Sequence, residues 1–336
     1  MKSIYLANNQ SQIDYVYSEE VKSFLSSDCA ADLKPEYRYT KAEVLEAPEK
    51  FSEVEFIFST WSMPAMTEEE IAECFPSLKA IFYAAGSVQP FAKPFMAKGV
   101  KIFSAWAANA VPVAEYTVAQ IILACKGFFR ACTLASQNKR KEAAAHSKSC
   151  PGNYGCKIGL IGVGMIGSMV AERLKGFNLK VLAFDPFCSE EKAKKLGVEL
   201  CTLEKLFSEC QVVSNHLANN PQTVGMLNYD LFKLMKPNAA FINTGRGAQV
   251  VEPDLAKALS EKPDAIAILD VTYPEPIQDG NPLLALDNVY LTPHIAGSQS
   301  DEVHRMAEYM RDEFLSFTGG LPTKYEVSEK MLETMA

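Results

Sequence analysis

Six residues constrain this 336-residue chain more than any others: Gly162-Val163-Gly164-Met165-Ile166-Gly167, a G-x-G-x-x-G run. Three glycines in six residues arise by chance, so the setting carries the weight. The run follows an apolar stretch, Lys157 to Ile161, that reads as a strand, and it opens an amphipathic pattern, Ile166 to Phe177, that reads as a helix. A second apolar stretch, Lys180 to Phe184, leads into Asp185, 18 residues past the third glycine. This is one βαβ unit with a phosphate turn. Gly162 permits the tight turn, Gly164 lets the backbone approach a pyrophosphate, and Gly167 lets helix and strand pack closely. The helix N-terminus then holds the anion through its free N–H groups and its dipole. Asp185 accepts from the adenosine ribose hydroxyls and repels a 2′-phosphate, and no arginine stands near it in sequence. The expected cofactor is NAD rather than NADP.

At about 150 residues per domain, the length suggests two domains. Lys+Arg 33 against Asp+Glu 41 gives 33 − 41 = −8, so the chain has no general attraction for nucleic acid or anionic membrane. Nine cysteines are an odd number and no pair has C-x-x-C spacing, which argues against a disulfide framework and a zinc ribbon. No metal is expected. The apolar run Ile4 to Ala7 is too short for the core of a secretory signal, and a reducing cytoplasm is the simplest home. The longest apolar stretch, Val111 to Phe129, is interrupted by Glu115, Gln120 and Lys126; it reads as a buried or interface helix, not a membrane span.

In the first hundred residues, Ser3 to Leu6, Glu55 to Thr60, Ala80 to Ala84 and Val100 to Phe103 read as strands. Glu19 to Leu25 and Thr67 to Cys74 read as helices, the second opening on a capping box, Thr67 with Glu70. Lys139 to Asn153, rich in lysine and small residues, is expected to be an exposed loop or linker. Beyond the glycine turn, strands are expected at Val212 to Ser214, Ala240 to Asn243, Ala265 to Leu269 and Val289 to Thr292, with a helix at Pro253 to Leu259. This is the cadence of a doubly wound parallel sheet. A last helix, Asp301 to Phe317, is closed by Gly319 and Gly320.

Three polar segments fall just past strand ends in the last third: Asn243-Thr244-Gly245-Arg246-Gly247, Tyr273-Pro274-Glu275-Pro276 and Thr292-Pro293-His294-Ile295-Ala296-Gly297. Open α/β sheets bind ligands at that edge. Arg246 offers a fork of donors for a carboxylate and an adjacent carbonyl oxygen. His294 exchanges a proton near neutral pH, and Glu275 can hold its second ring nitrogen and favour its protonated form. That pair is a general acid for reduction and a general base for oxidation.

These motifs resemble the NAD-dependent D-2-hydroxyacid dehydrogenase family. The matching stretches are Leu160 to Gly167, Phe241 to Val251, Leu269 to Pro276 and Asn288 to Gly297, with Arg246, Glu275 and His294 spaced by 29 and 19 residues. The resemblance implies hydride transfer between NAD(H) and a small 2-hydroxy or 2-oxo acid, with Arg246 on the substrate, Glu275 orienting the histidine and His294 donating the proton. It implies cofactor contacts from Gly162, Gly164, Met165, Ile166, Gly167, Asp185, Leu217, Ala218, Thr244 and Asp270, the last beside the nicotinamide amide. It also implies that Ala85-Gly86-Ser87 binds the substrate carboxylate through backbone N–H groups, although Val88-Gln89-Pro90 stands where relatives carry an aspartate. The stretch Asn109 to Glu115 with Thr117 resembles the family's dimer-interface helix, whose first turns reach the nicotinamide, so a homodimer is expected. The implied fold is α/β, with two Rossmann-like or flavodoxin-like parallel-sheet domains. The NAD-binding domain, 107–297, is inserted into a discontinuous substrate domain, 1–106 with 298–336. An NAD-sensing, corepressor-like binding protein on the same scaffold is the alternative, and a formate-type dehydrogenase is weaker because that branch carries glutamine at the place of Glu275. Of the remaining polar and aromatic residues, His216 reads as structural or as lining the cofactor edge, and His146 and His304 as solvated. Trp61 and Trp106 read as core more readily than as pocket.

Overall fold

The computed structural model describes residues 2–27 and 30–332, so Cys29 lies outside the described residues. The chain divides into two units: the first runs to Asn109 and resumes at Ser298, and the second spans Ala110–Gly297.

The first unit carries β1 (Ser3–Leu6), β2 (Arg38–Tyr39), β3 (Phe56–Ser59), β4 (Ala80–Tyr83) and β5 (Lys101–Ser104), all parallel, in the spatial order β2-β1-β3-β4-β5. The inner strands read as unbroken apolar runs because helices cover both faces of a parallel sheet. Their register aligns Tyr5, Phe58, Phe82 and Phe103 in one row across the sheet, and Ile4, Ile57, Ile81 and Ile102 in the next. Successive side chains point to opposite faces, so each row feeds a different core. The phenyl row stacks, with centroids 5.2 Å apart for Phe58–Phe82 and 5.0 Å for Phe82–Phe103, and Phe314 meets it edge-on. Phe314 comes from the helix His304–Thr318, which also buries Met306, Ala307 and Met310, so the returning C-terminal segment completes this core. The isoleucine row packs among Phe51, Ile71 and Phe95. The capping box expected at Thr67 and Glu70 is present.

In the second unit β6 (Tyr154–Ile161), β7 (Asn178–Phe184), β8 (Val198–Leu200), β9 (Val212–Asn215), β10 (Ala240–Asn243), β11 (Ile266–Leu269) and β12 (Val289–Leu291) form one parallel sheet, ordered β12-β11-β10-β9-β6-β7-β8. Strand order reverses between β6 and β9, which opens a crevice beyond the strand ends at that point. Register sets what lines it. Ile161, Asn215, Asn243 and Leu269 form one paired row, so the next residues, Gly162, His216, Thr244 and Asp270, stand together at the carboxyl edge. Both units are therefore α/β with parallel sheets, the fold class read from the sequence.

Several local expectations are corrected. Lys139 to Asn153 is not an open loop, because Arg140–Ser149 is helical and buries Ala143 and His146. Its three consecutive alanines, Ala143 to Ala145, favour helix. His146 is thus sealed rather than solvated, and burial lowers its pKa below the ordinary value. His304 is half-buried, with Nδ1 3.0 Å from the Val16 carbonyl oxygen. The apolar stretch becomes the helix Trp106–Cys125, and Lys126 falls outside it. By length and composition alone this helix could cross a membrane, but 56% of its apolar window is buried within the protein. Trp61 and Trp106 are half-buried, stacked on Tyr15 and edge-on to Tyr325 respectively.

Candidate active site

The glycine turn has the geometry its sequence demands. Gly162 lies at φ +86°, and a Cβ there would approach the His216 carbonyl oxygen to 2.9 Å. A Cβ on Gly167 would collide with the Gly162 carbonyl, whereas one on Gly164 would meet nothing within 4 Å. The helix Met165–Leu174 begins at Gly164 with no side-chain cap, so its first amides face that open space. An uncapped helix start beneath an open glycine is a cradle suited to a pyrophosphate. Asp185 closes one side: Oδ2 accepts from the Val163 amide at 2.8 Å and Oδ1 from the Phe187 amide at 2.9 Å. Met165 is exposed and Ile166 half-buried at the start of the same helix. The residues present fit a dinucleotide.

His216 stands at the back of this turn. Its Nε2 lies 3.0 Å from Ser214 Oγ, and its Nδ1 is shut off from water without a partner, so burial pulls its pKa down to about 4. The imidazole is therefore held neutral near pH 7.

His294 and Glu275, the pair expected to exchange the proton, are in direct contact. His294 Nδ1 lies 2.7 Å from Glu275 Oε1, and both side chains are close to half exposed. Such a contact holds the ring by one nitrogen and leaves Nε2 for a ligand. His294 itself sits at φ +55°, a left-handed conformation that costs a non-glycine residue about 1–3 kcal/mol. Asp270 keeps it there. This buried carboxylate accepts from Thr292 Oγ1 at 2.6 Å and from the amides of Ile295 at 2.8 Å and Ala296 at 2.9 Å, while its carbonyl accepts from the His294 amide at 3.0 Å. The carboxylate that the resemblance placed beside the cofactor amide thus also holds the turn that carries the histidine.

Arg246 follows β10, half-buried, with Nη1 donating to the Gly245 carbonyl at 2.8 Å. Burial lowers its pKa from the usual guanidinium value, and the charge of Glu275 opposes that shift. It pairs with no carboxylate among the described residues, so its charge remains available for an anion. Gly247 beside it is packed so closely that a Cβ would collide with the Thr272 backbone, which brings the arginine turn against the segment leading to Glu275.

Other residues position this site without being signalled in the sequence. Gln249 is fully buried: Nε2 donates to the carbonyls of Leu217 at 3.0 Å and Ala218 at 2.9 Å, and Oε1 accepts from Asn215 Nδ2 at 2.6 Å and the Arg246 amide at 3.2 Å. One side chain therefore ties the expected cofactor loop to the arginine turn. Buried Glu252 accepts from the Tyr273 amide at 2.7 Å and Asn281 Nδ2 at 2.5 Å, fixing both ends of the Glu275 loop. Thr244 Oγ1 lies 3.2 Å from Thr117 Oγ1, which docks the helix Trp106–Cys125 on the strand edge. In the first unit, Ala85-Gly86-Ser87 follows β4, and Ser104 Oγ holds the carbonyls of Ala85 at 3.0 Å and Gly86 at 2.5 Å. A Cβ on Gly86 would meet nothing within 4 Å, so backbone there is open to close approach.

Comparison with known proteins gives concordant findings. The family model described as D-isomer specific 2-hydroxyacid dehydrogenase, NAD binding domain, matches residues 118–296. A glyoxylate reductase of Korarchaeum cryptofilum is 34% identical over 75% of this chain and 77% of its own length. A D-3-phosphoglycerate dehydrogenase of Archaeoglobus fulgidus is 30% identical over 70% of this chain, which spans only 44% of that protein. Among solved structures, the apo D-mandelate dehydrogenase of Rhodotorula graminis superposes with a TM-score of 0.80 at 20% identity, covering 98% of each chain, a likeness of fold.

Proposed function

The chain belongs to the D-isomer specific 2-hydroxyacid dehydrogenases, with NAD as cofactor, and we propose that it interconverts a small 2-oxo acid and the corresponding 2-hydroxy acid through Arg246, Glu275 and His294. The observation that carries this reading is the 2.7 Å contact between His294 Nδ1 and Glu275 Oε1, on a turn built to hold the histidine in a left-handed conformation. Such an arrangement fixes which nitrogen faces a ligand, as an acid–base pair requires.

Gly162, Gly164, Gly167 and Asp185 would hold the dinucleotide, together with Met165, Ile166, Leu217, Ala218, Thr117, Thr244 and Asp270. Bound NADH supplies the hydride that reduces the carbonyl carbon. Arg246 pairs with the substrate carboxylate and polarises the neighbouring carbonyl oxygen. His294 donates a proton from Nε2 to that oxygen, giving a hydroxyl, and Glu275 stabilises the imidazolium before the transfer. In the oxidative direction the same nitrogen takes the hydroxyl proton. The functional particle is a homodimer seated on the helix Trp106–Cys125, with exposed Leu123 and, beyond the helix, exposed Phe128 contributing apolar surface.

The test is NADH oxidation followed at 340 nm with glyoxylate, hydroxypyruvate and larger 2-oxo acids. His294→Ala should lower kcat about a hundredfold or more while leaving NADH affinity unchanged, the scale of general acid catalysis. Turnover of none of these acids, or an unaffected variant, refutes the proposal. NADH binding without turnover would instead favour a nucleotide-sensing protein on this scaffold.

A further inference from the structure

The sequence around Asp185 contains no arginine, and on that ground the adenosine end of the cofactor site reads as selective against a 2′-phosphate. The fold brings a different cation there. Lys192 lies on the short helix Glu190–Leu196, seven residues past Asp185, and its Nζ folds back to donate to the Val163 carbonyl at 2.6 Å. Val163 is the second residue of the glycine run, and its amide is the group that donates to Asp185 Oδ2. Carboxylate and ammonium thus grip opposite ends of one residue, which by bond lengths sets them within roughly 9 Å of each other.

Three observations separate this lysine from a plain staple of the turn. The Val163 carbonyl is already satisfied, because Ser168 Oγ donates to it at 2.7 Å, so Lys192 can leave without orphaning a buried acceptor. Lys192 forms no ion pair with a carboxylate among the described residues, Asp185 included, so its charge is uncommitted. The residue is exposed along its stem, and its flexible chain can swing toward a ligand at little cost. A chain of net charge −8 that keeps an unpaired ammonium on its nucleotide turn has a local receptor for an anion.

We propose that Lys192 receives the 2′-phosphate of NADPH, so that this dehydrogenase takes both dinucleotides, with Asp185 favouring NADH and Lys192 moderating that preference. The inference rests on assigning the glycine turn to the cofactor. Equilibrium binding of NADH and NADPH, read by enhancement of nicotinamide fluorescence, tests it independently of turnover. The wild type should bind both. Lys192→Met, which keeps the stem and removes the charge, should weaken NADPH about tenfold, the value of one charge-assisted contact, and change NADH by less than threefold. Lys192→Arg should restore NADPH binding. A wild type that binds NADH but not millimolar NADPH overturns the inference, as does equal weakening of both dinucleotides in Lys192→Met with a lowered Tm, the mark of a turn staple. Failure of the wild type to bind even NADH removes the assignment of the turn and this inference with it.

Discussion

Asp270→Asn is the substitution whose outcome follows most directly from the geometry. Two of the three donors to the carboxylate converge on Oδ1, Thr292 Oγ1 and the Ile295 backbone amide, and the third, the Ala296 backbone amide, is on Oδ2. An asparagine can keep an oxygen in the first position only by turning its own N–H₂ toward the Ala296 amide, donor against donor. The alternative rotamer sets its N–H₂ against the Ile295 amide instead, so it too leaves one backbone donor unpaired even when the Thr292 hydroxyl turns to accept. One hydrogen bond to a charged acceptor is lost, worth about 1.5–3 kcal/mol, and two others fall to neutral strength, near 1 kcal/mol each. Relief from burying a charge offsets part of that loss. The net destabilisation of the second unit should be about 2–4 kcal/mol. Because the clamp also holds His294 at φ +55°, the turn should relax and kcat/KM should drop at least tenfold.

The assay must report on the right unit. Both tryptophans, Trp61 and Trp106, belong to the first unit, so their fluorescence would report the wrong transition. Urea unfolding followed by far-UV circular dichroism, with hydrogen exchange at the Ile295 and Ala296 amides, reads the clamp itself. Unchanged protection at these two amides, a destabilisation below about 1 kcal/mol and kcat/KM within twofold would refute the reasoning, since a clamp worth this much cannot be lost silently.

Two further outcomes follow. His216 has a folded pKa near 4 against an ordinary 6.5, so the unfolded chain binds the extra proton between these values; its contribution is complete above pH 6.5, is lost as pH falls toward 4, and amounts to about 3 kcal/mol. Denaturant titrations from pH 7 to 4 should show a shallower decline for His216→Gln than for the wild type, and identical slopes would contradict the assignment. Sedimentation velocity at micromolar concentration should give about twice the 37.0 kDa chain mass, falling toward one chain for Leu123→Glu with Phe128→Glu, and a wild-type monomer would remove the dimer from the reading.

What the sequence reveals and what it hides follow from how far each interaction reaches along the chain. Buried parallel strands are apolar on both faces, so Ala240–Asn243 and Ser3–Leu6 can be read as continuous runs, whereas β2, only Arg38–Tyr39 and half-buried, offers neither length nor hydrophobicity to recognise. Glycines 162, 164 and 167 are legible because the turn that needs them is made by neighbouring residues. Arg246, Glu275 and His294 are legible for a related reason, since each sits on a short polar segment beyond a strand end. Their supports have no such mark. Gln249 reaches back 32 residues to Leu217, and Glu252 reaches forward 21 to Tyr273, and neither local pattern distinguishes them from polar residues around a helix start. Lys192 is the sharpest case: an Asp185 without a neighbouring arginine implies exclusion of a 2′-phosphate only while charge is judged by sequence proximity. A helix of seven residues is enough to return a cation to the same turn. Selectivity at such a site is set by the charges that folding gathers there, so it has to be argued from the contacts of the glycine turn rather than from the residues next to the aspartate.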